Sequence, residues 1–407
     1  MKHRIVVLGA GYAGAYVAGN LARRLSPADT EITVVNAEPD FVERLRLHQL
    51  AAGQEIGTRK LADVFAGTGI RLSLARVTAV DPERRTVTVT AAGASASAGA
   101  DAGADHGTGE LGYDTLLYAL GSHGDDRGVP GVAEHAFDVA ARPSALRLRE
   151  RLDSLGGAGE VLVVGDGLTG IETATELAES RPGLSVTLVA PGELGARLST
   201  GARGHLRRAC DRLGITVVEH TRVEAVEATR VLCADGTALP SDATVWTAGF
   251  AVAPIAAAAG LAVTADGRIL VDATMRSVSH PEVYAAGDSV HTIGANGLPL
   301  PMSCASAGFT GMQAMKAIMG SLTGTGTGRV KLAYQGNHIS LGRQDAILQL
   351  VDGAARAKPA YTGGRKAARI KAAILKMSLW TTSHPTFGLP KRRRRLTAVP
   401  DRSVAAA

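Results

Sequence analysis

Two glycine-rich turns of the same design constrain this chain more than any other feature. The first is the segment Gly9-Ala10-Gly11-Tyr12-Ala13-Gly14, and the second is Gly165-Asp166-Gly167-Leu168-Thr169-Gly170. Each follows a short apolar run (4–8 and 161–164) and precedes a helix-like segment, the context in which this spacing predicts a dinucleotide site. The first glycine permits a tight turn, the second lets the backbone approach a pyrophosphate, and the third lets helix and strand pack closely.

Both turns lie inside strand–helix–strand units. The apolar patterns predict strands at 4–8 and 31–36 around a helix at about 12–25, and strands at 161–164 and 185–190 around a helix at 169–180. The fold class is therefore predicted to be α/β, with two Rossmann-like dinucleotide-binding domains and a small α+β C-terminal region. Two such sites imply two nucleotide-containing molecules, the arrangement that passes electrons between cofactors.

The remaining elements follow from alternating apolar residues and from glycine-rich or low-complexity stretches. They are a hairpin at 75–80 and 86–90, a surface loop at 91–112, strands at 113–120, 244–247 and 281–286, a helix at 303–319, a linker at 320–328, and strands at 334–341 and 346–351.

Composition excludes several classes of protein. The three cysteines (Cys210, Cys233 and Cys304) lie far apart, so no spacing typical of a zinc site, an iron–sulfur cluster or a redox-active disulfide occurs, and no metal is expected. Cysteines of this kind suit a reducing cytoplasm. No apolar stretch has the length needed to span a membrane.

Four signatures in order give the chain a family resemblance. Besides the two turns, a buried strand ends in Leu117-Tyr118-Ala119-Leu120-Gly121-Ser122, and another ends in Tyr284-Ala285-Ala286-Gly287-Asp288. Over roughly residues 3–320 the chain resembles the FAD-dependent pyridine-nucleotide oxidoreductases. It is most similar to type II NADH dehydrogenases (NADH:quinone oxidoreductases) and apoptosis-inducing-factor-like reductases.

The resemblance implies a division of the chain and a set of cofactor-binding residues. An NAD(P)-binding domain at 146–255 is inserted into an FAD-binding domain at 1–145 and 256–328, and residues 329–407 form a C-terminal interface region. The residues implied to bind FAD are Gly9, Gly11, Tyr12, Ala13, Gly14, Asn36, Arg44, Val77, Ala119, Gly121, Gly287 and Asp288. Those implied to bind NAD(P)H are Gly165, Gly167, Leu168, Thr169, Gly170, Glu172, Ala248 and Gly249.

Three positions depart from the family pattern. Asn36 replaces the acid that binds the adenosine ribose of FAD, and the strand at 185–190 ends without an acid for NADH or an adjacent Arg for NADPH. The choice between NADH and NADPH stays open. Quinone-reducing members carry glutamines on the helix after the Gly-Asp motif, whereas this chain reads Pro301-Met302-Ser303-Cys304-Ala305 there.

Two residues are candidates for the chemistry. His48, in a segment that runs near the flavin in similar enzymes, could relay a proton, or it could only hydrogen-bond FAD or backbone. Glu172 matches an acid near the nicotinamide in those enzymes. Cys304 maps near the flavin, but without a partner cysteine it is interpreted as a packing residue.

The net charge of +6 is concentrated at the C-terminus. Residues 361–407 contain eleven Lys and Arg and one acid, which leaves the rest of the chain at −4. A helix at about 365–380 places Ile370, Ala373, Ile374 and Met377 on one stripe, with Arg369 and Lys376 to one side. One interpretation is attraction to an anionic membrane surface. A packed helix with solvated charges is the alternative, because Leu375 and Leu379 lie off the stripe. Aromatic residues are too few there for nucleic-acid binding.

The predicted function is an FAD-dependent oxidoreductase that takes hydride from NAD(P)H and passes electrons to a second acceptor, with a quinone as one candidate. Two alternatives remain open. One is a soluble NAD(P)H-dependent flavin reductase of a small metabolite or partner protein, and the other is a flavin-binding interaction or sensor protein. The predicted location is the cytoplasm, and peripheral binding to the inner face of the cell membrane is an added hypothesis. A homodimer is a further hypothesis.

Overall fold

The computed structural model of the protein describes residues 1–91, 104–105, 109–352, 354–388 and 393–397. The run that precedes the first glycine turn forms a strand whose apolar residues are almost completely buried. The elements up to residue 135 are β1 (His3–Leu8), α1 (Tyr12–Arg24), β2 (Thr30–Asn36), α2 (Leu47–Ala51), α3 (Leu61–Phe65), β3 (Ile70–Asp81), β4 (Thr86–Ala91), β5 (Ala104–Asp105), β6 (Gly109–Gly112), β7 (Thr115–Tyr118), β8 (His123–Gly124) and α4 (Val132–His135).

The second glycine turn has the same surroundings, an apolar buried strand before it and a helix after it. The elements of this region are β9 (Ala136–Phe137), α5 (Arg142–Ser154), β10 (Gly159–Val164), α6 (Leu168–Ser180), β11 (Leu184–Val189), α7 (Thr200–Arg212), β12 (Thr216–Val218), β13 (Val223–Val226), β14 (Arg230–Cys233), β15 (Ala238–Pro240), β16 (Ala243–Trp246) and β17 (Phe250–Ala251).

The rest of the chain returns to the first region and then forms a small C-terminal layer. Its elements are α8 (Ile255–Ala258), β18 (Ile269–Leu270), β19 (Val283–Ala285), β20 (Val290–His291), α9 (Cys304–Thr323), β21 (Gly336–Ser340), β22 (Ala346–Val351), β23 (Ala357–Gly363) and α10 (Gly364–Ser383).

Two sheets with parallel centres confirm the predicted α/β class. In the first, β19, β7, β1, β2 and β3 pair in parallel, and β4 and β6 extend it in antiparallel fashion. In the second, the order is β12–β11–β10–β16–β9, with parallel pairing throughout. Both glycine turns therefore lie at the carboxyl end of a central parallel strand, where open α/β sheets bind their ligands.

The two sheets have separate cores that share one connecting segment. Helices α1 and α9 pack on each other beside the first sheet. Helix α2 comes from the N-terminal part of the chain, but its Leu47 and Leu50 are buried in the second core beside α5 and α6. The β21–β23 sheet packs on α6 and α7, and α10 packs on that sheet and on α1.

The predictions for the second strand–helix–strand unit and the hairpin are confirmed within a few residues, and two loop predictions are wrong. Residues 109–112, expected in a surface loop, form β6 because their backbone pairs with β4; residues 92–103 and 106–108 of that loop lie outside the described part. The linker predicted at 320–328 begins later, because α9 continues to Thr323 and is capped by Gly324 in the left-handed conformation. The Thr323 hydroxyl donates a hydrogen bond to the Met319 carbonyl in this last turn. The predicted boundary between residues 145 and 146 lies within helix α5. The division into domains stays a prediction.

Candidate active site

In the first glycine turn, the protein's own backbone lies against Gly9 and Gly14, whereas Gly11 faces open space. Gly9 has a φ of +92°, and a Cβ added there would overlap the Ala119 carbonyl oxygen. A Cβ at Gly14 would overlap the Gly9 carbonyl oxygen, so the strand–helix contact itself requires glycine. At Gly11 an added Cβ would meet no described atom within 4 Å. The space in front of Gly11, at the N-terminus of α1, therefore suits an anionic pyrophosphate.

The second turn repeats this arrangement. Gly165 has a φ of +117° and lies against Thr247, and a Cβ at Gly170 would overlap the Gly165 carbonyl oxygen. A Cβ at Gly167 would again meet no described atom within 4 Å. Leu168 and Thr169 begin α6 directly behind this open position. The residues present therefore fit a second dinucleotide at the N-terminus of α6.

A polar cluster forms the entrance of the first site. Ser122 Oγ donates to Asp288 Oδ2 at 2.7 Å, and Arg44 Nη1 donates to the Ser122 carbonyl at 2.8 Å. The Arg44 guanidinium lies 3.6 Å from the same Asp288 oxygen. Gly121 and Gly287 adopt left-handed φ values of +71° and +83° that allow these close turns. The cluster thus holds a partly buried carboxylate, a group that can accept hydrogen bonds from the hydroxyls of a ligand.

Asn36 has a structural role in the first turn. Its Oδ1 accepts a hydrogen bond from the Ala10 backbone at 2.9 Å, and its Nδ2 donates to the Glu38 carbonyl at 2.7 Å. The amide thus holds the glycine turn against the end of β2. Among the other residues implied to bind the cofactors, Tyr12 makes an edge-to-face ring contact with Phe41. Four more of these residues lie in or beside the buried cores: Ala13, Val77, Ala119 and Ala248. Gly249 lies against the Arg127 guanidinium.

Glu172 lies one turn into α6 and is held by the C-terminal layer. Its Oε1 accepts a hydrogen bond from the Ser340 backbone at 2.9 Å and forms a close ion pair with Lys371 of α10. Lys371 Nζ also donates to the His338 carbonyl at 2.9 Å. The side chains of Lys371 and Glu172 are only 11% and 13% exposed. Burial lowers the pKa of Lys371, whereas the adjoining Glu172 carboxylate favours its ammonium form, so the pair holds opposite charges in a largely buried position.

His48 is buried on α2, and its Nε2 has no hydrogen-bond partner among the described residues. Burial, together with the positive charges of Lys371 and Arg46, lowers the pKa of His48 to about 3. A neutral imidazole at this position cannot donate a proton from an imidazolium at physiological pH. It can accept a hydrogen bond from, or donate one to, a molecule placed beside it.

Replacing His48 by glutamine is expected to reduce the acid sensitivity of the fold. Between pH 6.5 and about 3 the unfolded chain binds a proton at His48 and the folded chain does not. This group alone therefore lowers the free energy of unfolding by about 1.4 kcal/mol per pH unit as the pH falls through that window. Thermal midpoints measured from about pH 7 to pH 5 should fall less steeply for His48→Gln than for the native chain.

The matched control is His123→Gln, because His123 is exposed. Its thermal midpoints should follow those of the native chain. Parallel curves for His48→Gln and the native chain would contradict the assignment of the acid sensitivity to His48.

Lys371 is the buried charged residue that the sequence pattern does not single out. It lies among several cations of a basic helix, and lysines are rarely buried. The available signal was its spacing, because Ala367, Lys371, Leu375 and Leu379 recur every four residues and form the inner face of α10. Cys304 matches its interpretation as an unreactive residue, since burial and the nearby Asp288 raise its pKa to about 12.

Two glycine turns, each open at its second glycine and each at the N-terminus of a helix, are the arrangement typical of a flavin- and nicotinamide-dependent oxidoreductase. The chain belongs to the pyridine nucleotide-disulphide oxidoreductase family, whose model matches residues 3–318. The predicted resemblance is thereby confirmed, and the protein is an enzyme that uses FAD and NAD(P)H.

Three similar proteins illustrate the relationship. An NADH dehydrogenase-like protein of Mycobacterium tuberculosis is 33% identical over 310 residues, covering 70% of this chain and 72% of that protein. A type II NADH:quinone oxidoreductase of Staphylococcus aureus is 25% identical over 403 residues, covering 92% and 94%. The structure of the sulfide:quinone oxidoreductase of Aquifex aeolicus superposes with a TM-score of 0.77 at 18% identity, covering 98% of both chains.

Each helix in the described ranges is too short or too polar to cross a bilayer.

Proposed function

We propose that this enzyme transfers a hydride from NAD(P)H to FAD and passes the electrons to a quinone. The observation that carries the proposal is the segment of residues 44–48, which contacts both sites. Arg44 hydrogen-bonds the Ser122–Asp288 cluster at the first site, and His48, four residues later, lies on α2, the helix that packs against α6 of the second site. The segment therefore connects the two sites through adjacent side chains.

The chain's own residues supply charge and protons at this junction. A bound flavin supplies the two-electron chemistry, and the protein must orient it, exclude water and hold protons. Quinone reduction consumes protons, and the largely buried Glu172–Lys371 pair is an ionisable site whose lysine lies near enough to His48 to act on its charge. We assign His48 and Glu172 as catalytic-site residues on this geometry, with Lys371 added to them.

The acceptor is proposed from the relatives. Two of the similar proteins are named as quinone oxidoreductases, one of them over 94% of its length. The alternative acceptor is a soluble metabolite or partner protein, which the absence of the family's glutamine pattern at residues 301–305 favours. We place the reaction in the cytoplasm and at its membrane surface.

Anaerobic reduction followed by an acceptor panel tests this function. The flavin of the purified protein should bleach on addition of NADH or NADPH without air. Menaquinone and ubiquinone analogues should then reoxidise it faster than soluble disulfides or ferredoxin-type proteins. A colourless protein, or a flavin that both nicotinamides leave oxidised, would refute the enzymatic proposal, and faster reoxidation by a soluble acceptor would refute the quinone.

Helix α10 supports the membrane part of the proposal. Its outer face exposes Ile370, Ile374, Met377 and Trp380 by 38–61%, whereas Leu375 and Leu379 are half-buried on the inner face. The residues off the predicted stripe therefore pack against the protein, and the stripe itself faces outward. An exposed apolar stripe flanked by Arg369 and Lys376 suits the surface of an anionic bilayer.

Replacing Ile374 and Met377 together by serine is expected to weaken binding to anionic vesicles about 10-fold or more. Each large apolar side chain contributes about 1.5–3 kcal/mol when fully buried, and insertion at an interface recovers part of this. Co-sedimentation with phosphatidylglycerol vesicles measures the effect. The control Val278→Ser removes an exposed apolar side chain elsewhere and should bind the vesicles as the native chain does. If the double variant also binds as tightly as the native chain, the stripe is not an anchor.

A further inference from the structure

An open cavity of about 1020 Å³ lies where helices α1 and α9 end, beside a basic segment formed by residues 393–397. Helix α1 begins at the first glycine turn, and its 13 residues carry the chain about 20 Å away from that turn. Among the described residues that line the cavity, none comes from the second sheet or its helices. The cavity is therefore separate from both glycine turns.

The basic segment is fixed to the ends of both helices by backbone hydrogen bonds. The Arg394 N–H donates to the Arg24 carbonyl at 2.8 Å, and the Arg394 carbonyl accepts from the Ser26 N–H at 2.9 Å. The Thr397 N–H donates to the Leu322 carbonyl at 3.1 Å, which ties the same segment to α9. The arginines of the basic segment therefore have defined backbone positions at the edge of the cavity.

The cavity has an excess of positive charge. Of the cations that line it, Arg395 pairs with the Asp29 carboxylate at 2.8 Å. The other lining cations in the described ranges are Arg24, Lys316, Arg393 and Arg394. These four form no ion pair with a described residue, and the described lining contains no Asp or Glu. The C-termini of α1 and α9 each carry about half a negative charge, which offsets about one of the four positive charges.

Arg24 shows that this charge is not satisfied within the protein. In the described part of the chain, its Nη1 donates to the thioether Sδ of Met315 at 2.7 Å, a weak acceptor, and its buried Nε has no hydrogen-bond partner. Burial, followed by the charges of Arg23 and Arg394, lowers the pKa of Arg24. The guanidinium is thus surrounded by positive charge, and an anion in the cavity would relieve the repulsion.

The turn that follows α10 lies next to the cavity. Pro385 packs directly on Gly19 of α1, and Gly388 lies against the Arg23 guanidinium. In the same turn the rings of Trp380 and Phe387 contact each other with centroids 4.5 Å apart, and both side chains are exposed. An apolar surface and the basic cavity therefore meet at the end of α1.

We propose that this cavity binds an anion that carries two phosphate groups, either the headgroup of a lipid or a free diphosphate. Arginine pairs with phosphate oxygens through charge-assisted hydrogen bonds, and lysine attracts them as a point charge. The neighbouring apolar surface gives a lipid a place for its acyl chains while its phosphates enter the cavity. The site takes no part in electron transfer, so this inference goes beyond the proposed function and stands without it.

Calorimetric titration of the FAD-loaded protein with inorganic pyrophosphate tests the site. Excess NAD⁺ and NADP⁺ keep the second glycine turn occupied during the titration. Lys316→Gln and Arg393→Gln should each weaken binding about 10-fold, because each removes a charged contact to phosphate. Arg208→Gln removes an exposed arginine on α7 and should bind as the native chain does. Added salt should weaken binding by the native chain, since the contacts are electrostatic.

Co-sedimentation with vesicles distinguishes the two sources of phosphate. Cardiolipin presents two phosphates in one headgroup, and phosphatidylglycerol vesicles of equal surface charge present them separately. For a lipid ligand, the native chain should bind the cardiolipin vesicles about 10-fold more tightly, and Lys316→Gln and Arg393→Gln should lose that difference. Pyrophosphate binding that depends on these residues, together with unchanged vesicle binding, would identify a soluble diphosphate.

Two results would overturn the proposal. One is that Lys316→Gln and Arg393→Gln bind pyrophosphate and both kinds of vesicle as the native chain does. The other is an equal loss of binding in Arg208→Gln, which would show attraction to net charge and no defined site. Either result would leave the oxidoreductase function standing, because the assay of flavin reduction does not involve this cavity.

Discussion

Gly11→Val is expected to yield a folded protein without flavin. The backbone of Gly11 has φ −72° and ψ −168°, which valine adopts readily, and an added Cβ meets no described atom. The substitution therefore leaves the protein's own contacts intact and fills the space that a pyrophosphate would occupy. Flavin content, read from the visible spectrum of the purified protein, should fall about 10-fold or more, since a lost pyrophosphate site removes several charge-assisted hydrogen bonds.

Gly167→Val is the matched variant in the second turn and is expected to give the opposite phenotype. Its backbone is equally permissive, with φ −69° and ψ 175°, and its Cβ position is equally open. This protein should be yellow, and dithionite should reduce its flavin, but NADH and NADPH should not. The pair thus assigns one cofactor to each turn.

Two outcomes would contradict the assignment of the two turns. One is flavin loss in Gly167→Val with flavin retained in Gly11→Val. The other is full activity in either variant. Circular dichroism and gel filtration of both variants confirm that a missing cofactor is not the result of unfolding.

Lys371→Met is expected to destabilise the protein by about 3–5 kcal/mol, the usual cost of leaving one partner of a buried ion pair without the other. The unpaired group would be Glu172, whose side chain is 13% exposed. Urea unfolding of the flavin-loaded protein, followed by tryptophan fluorescence and by circular dichroism, measures the change in the free energy of unfolding.

The double variant Glu172→Gln, Lys371→Met is the decisive comparison. It removes both charges, so its stability should lie closer to that of the native chain than the stability of Lys371→Met does. Lys376→Met is the control on the exposed face of the same helix, expected to stay within about 0.5 kcal/mol of the native chain. If the double variant is as unstable as Lys371→Met, the ion pair does not explain the loss.

The glycine turns and the strands around them could be predicted because their causes are local. Buried parallel strands are continuous apolar runs, and a glycine at the strand end marks the turn that follows. Asp288 could be placed for the same reason, since it comes directly after the buried run that ends at Ala286.

The ion pair between Glu172 and Lys371 could not be predicted because it joins residues that are distant in the sequence. Nothing near Glu172 or Lys371 indicates that β21 brings them together, and a lysine in a basic helix is usually solvated. Strand β6 has a similar origin. Its residues have low strand propensity, and it exists because β4 offers an unpaired edge.

Helix α10 places strict limits on changes in length. Each residue turns an α-helix by about 100°, and the inward ladder through Lys371 and the outward row through Ile374 share the same 20 residues. Inserting one residue between Ala367 and Lys371 would rotate every later side chain by that angle. The ammonium would move away from Glu172, and Ile374 would turn toward the inner face of the helix. Substitutions can change the two faces independently, whereas a single-residue shift in register changes both.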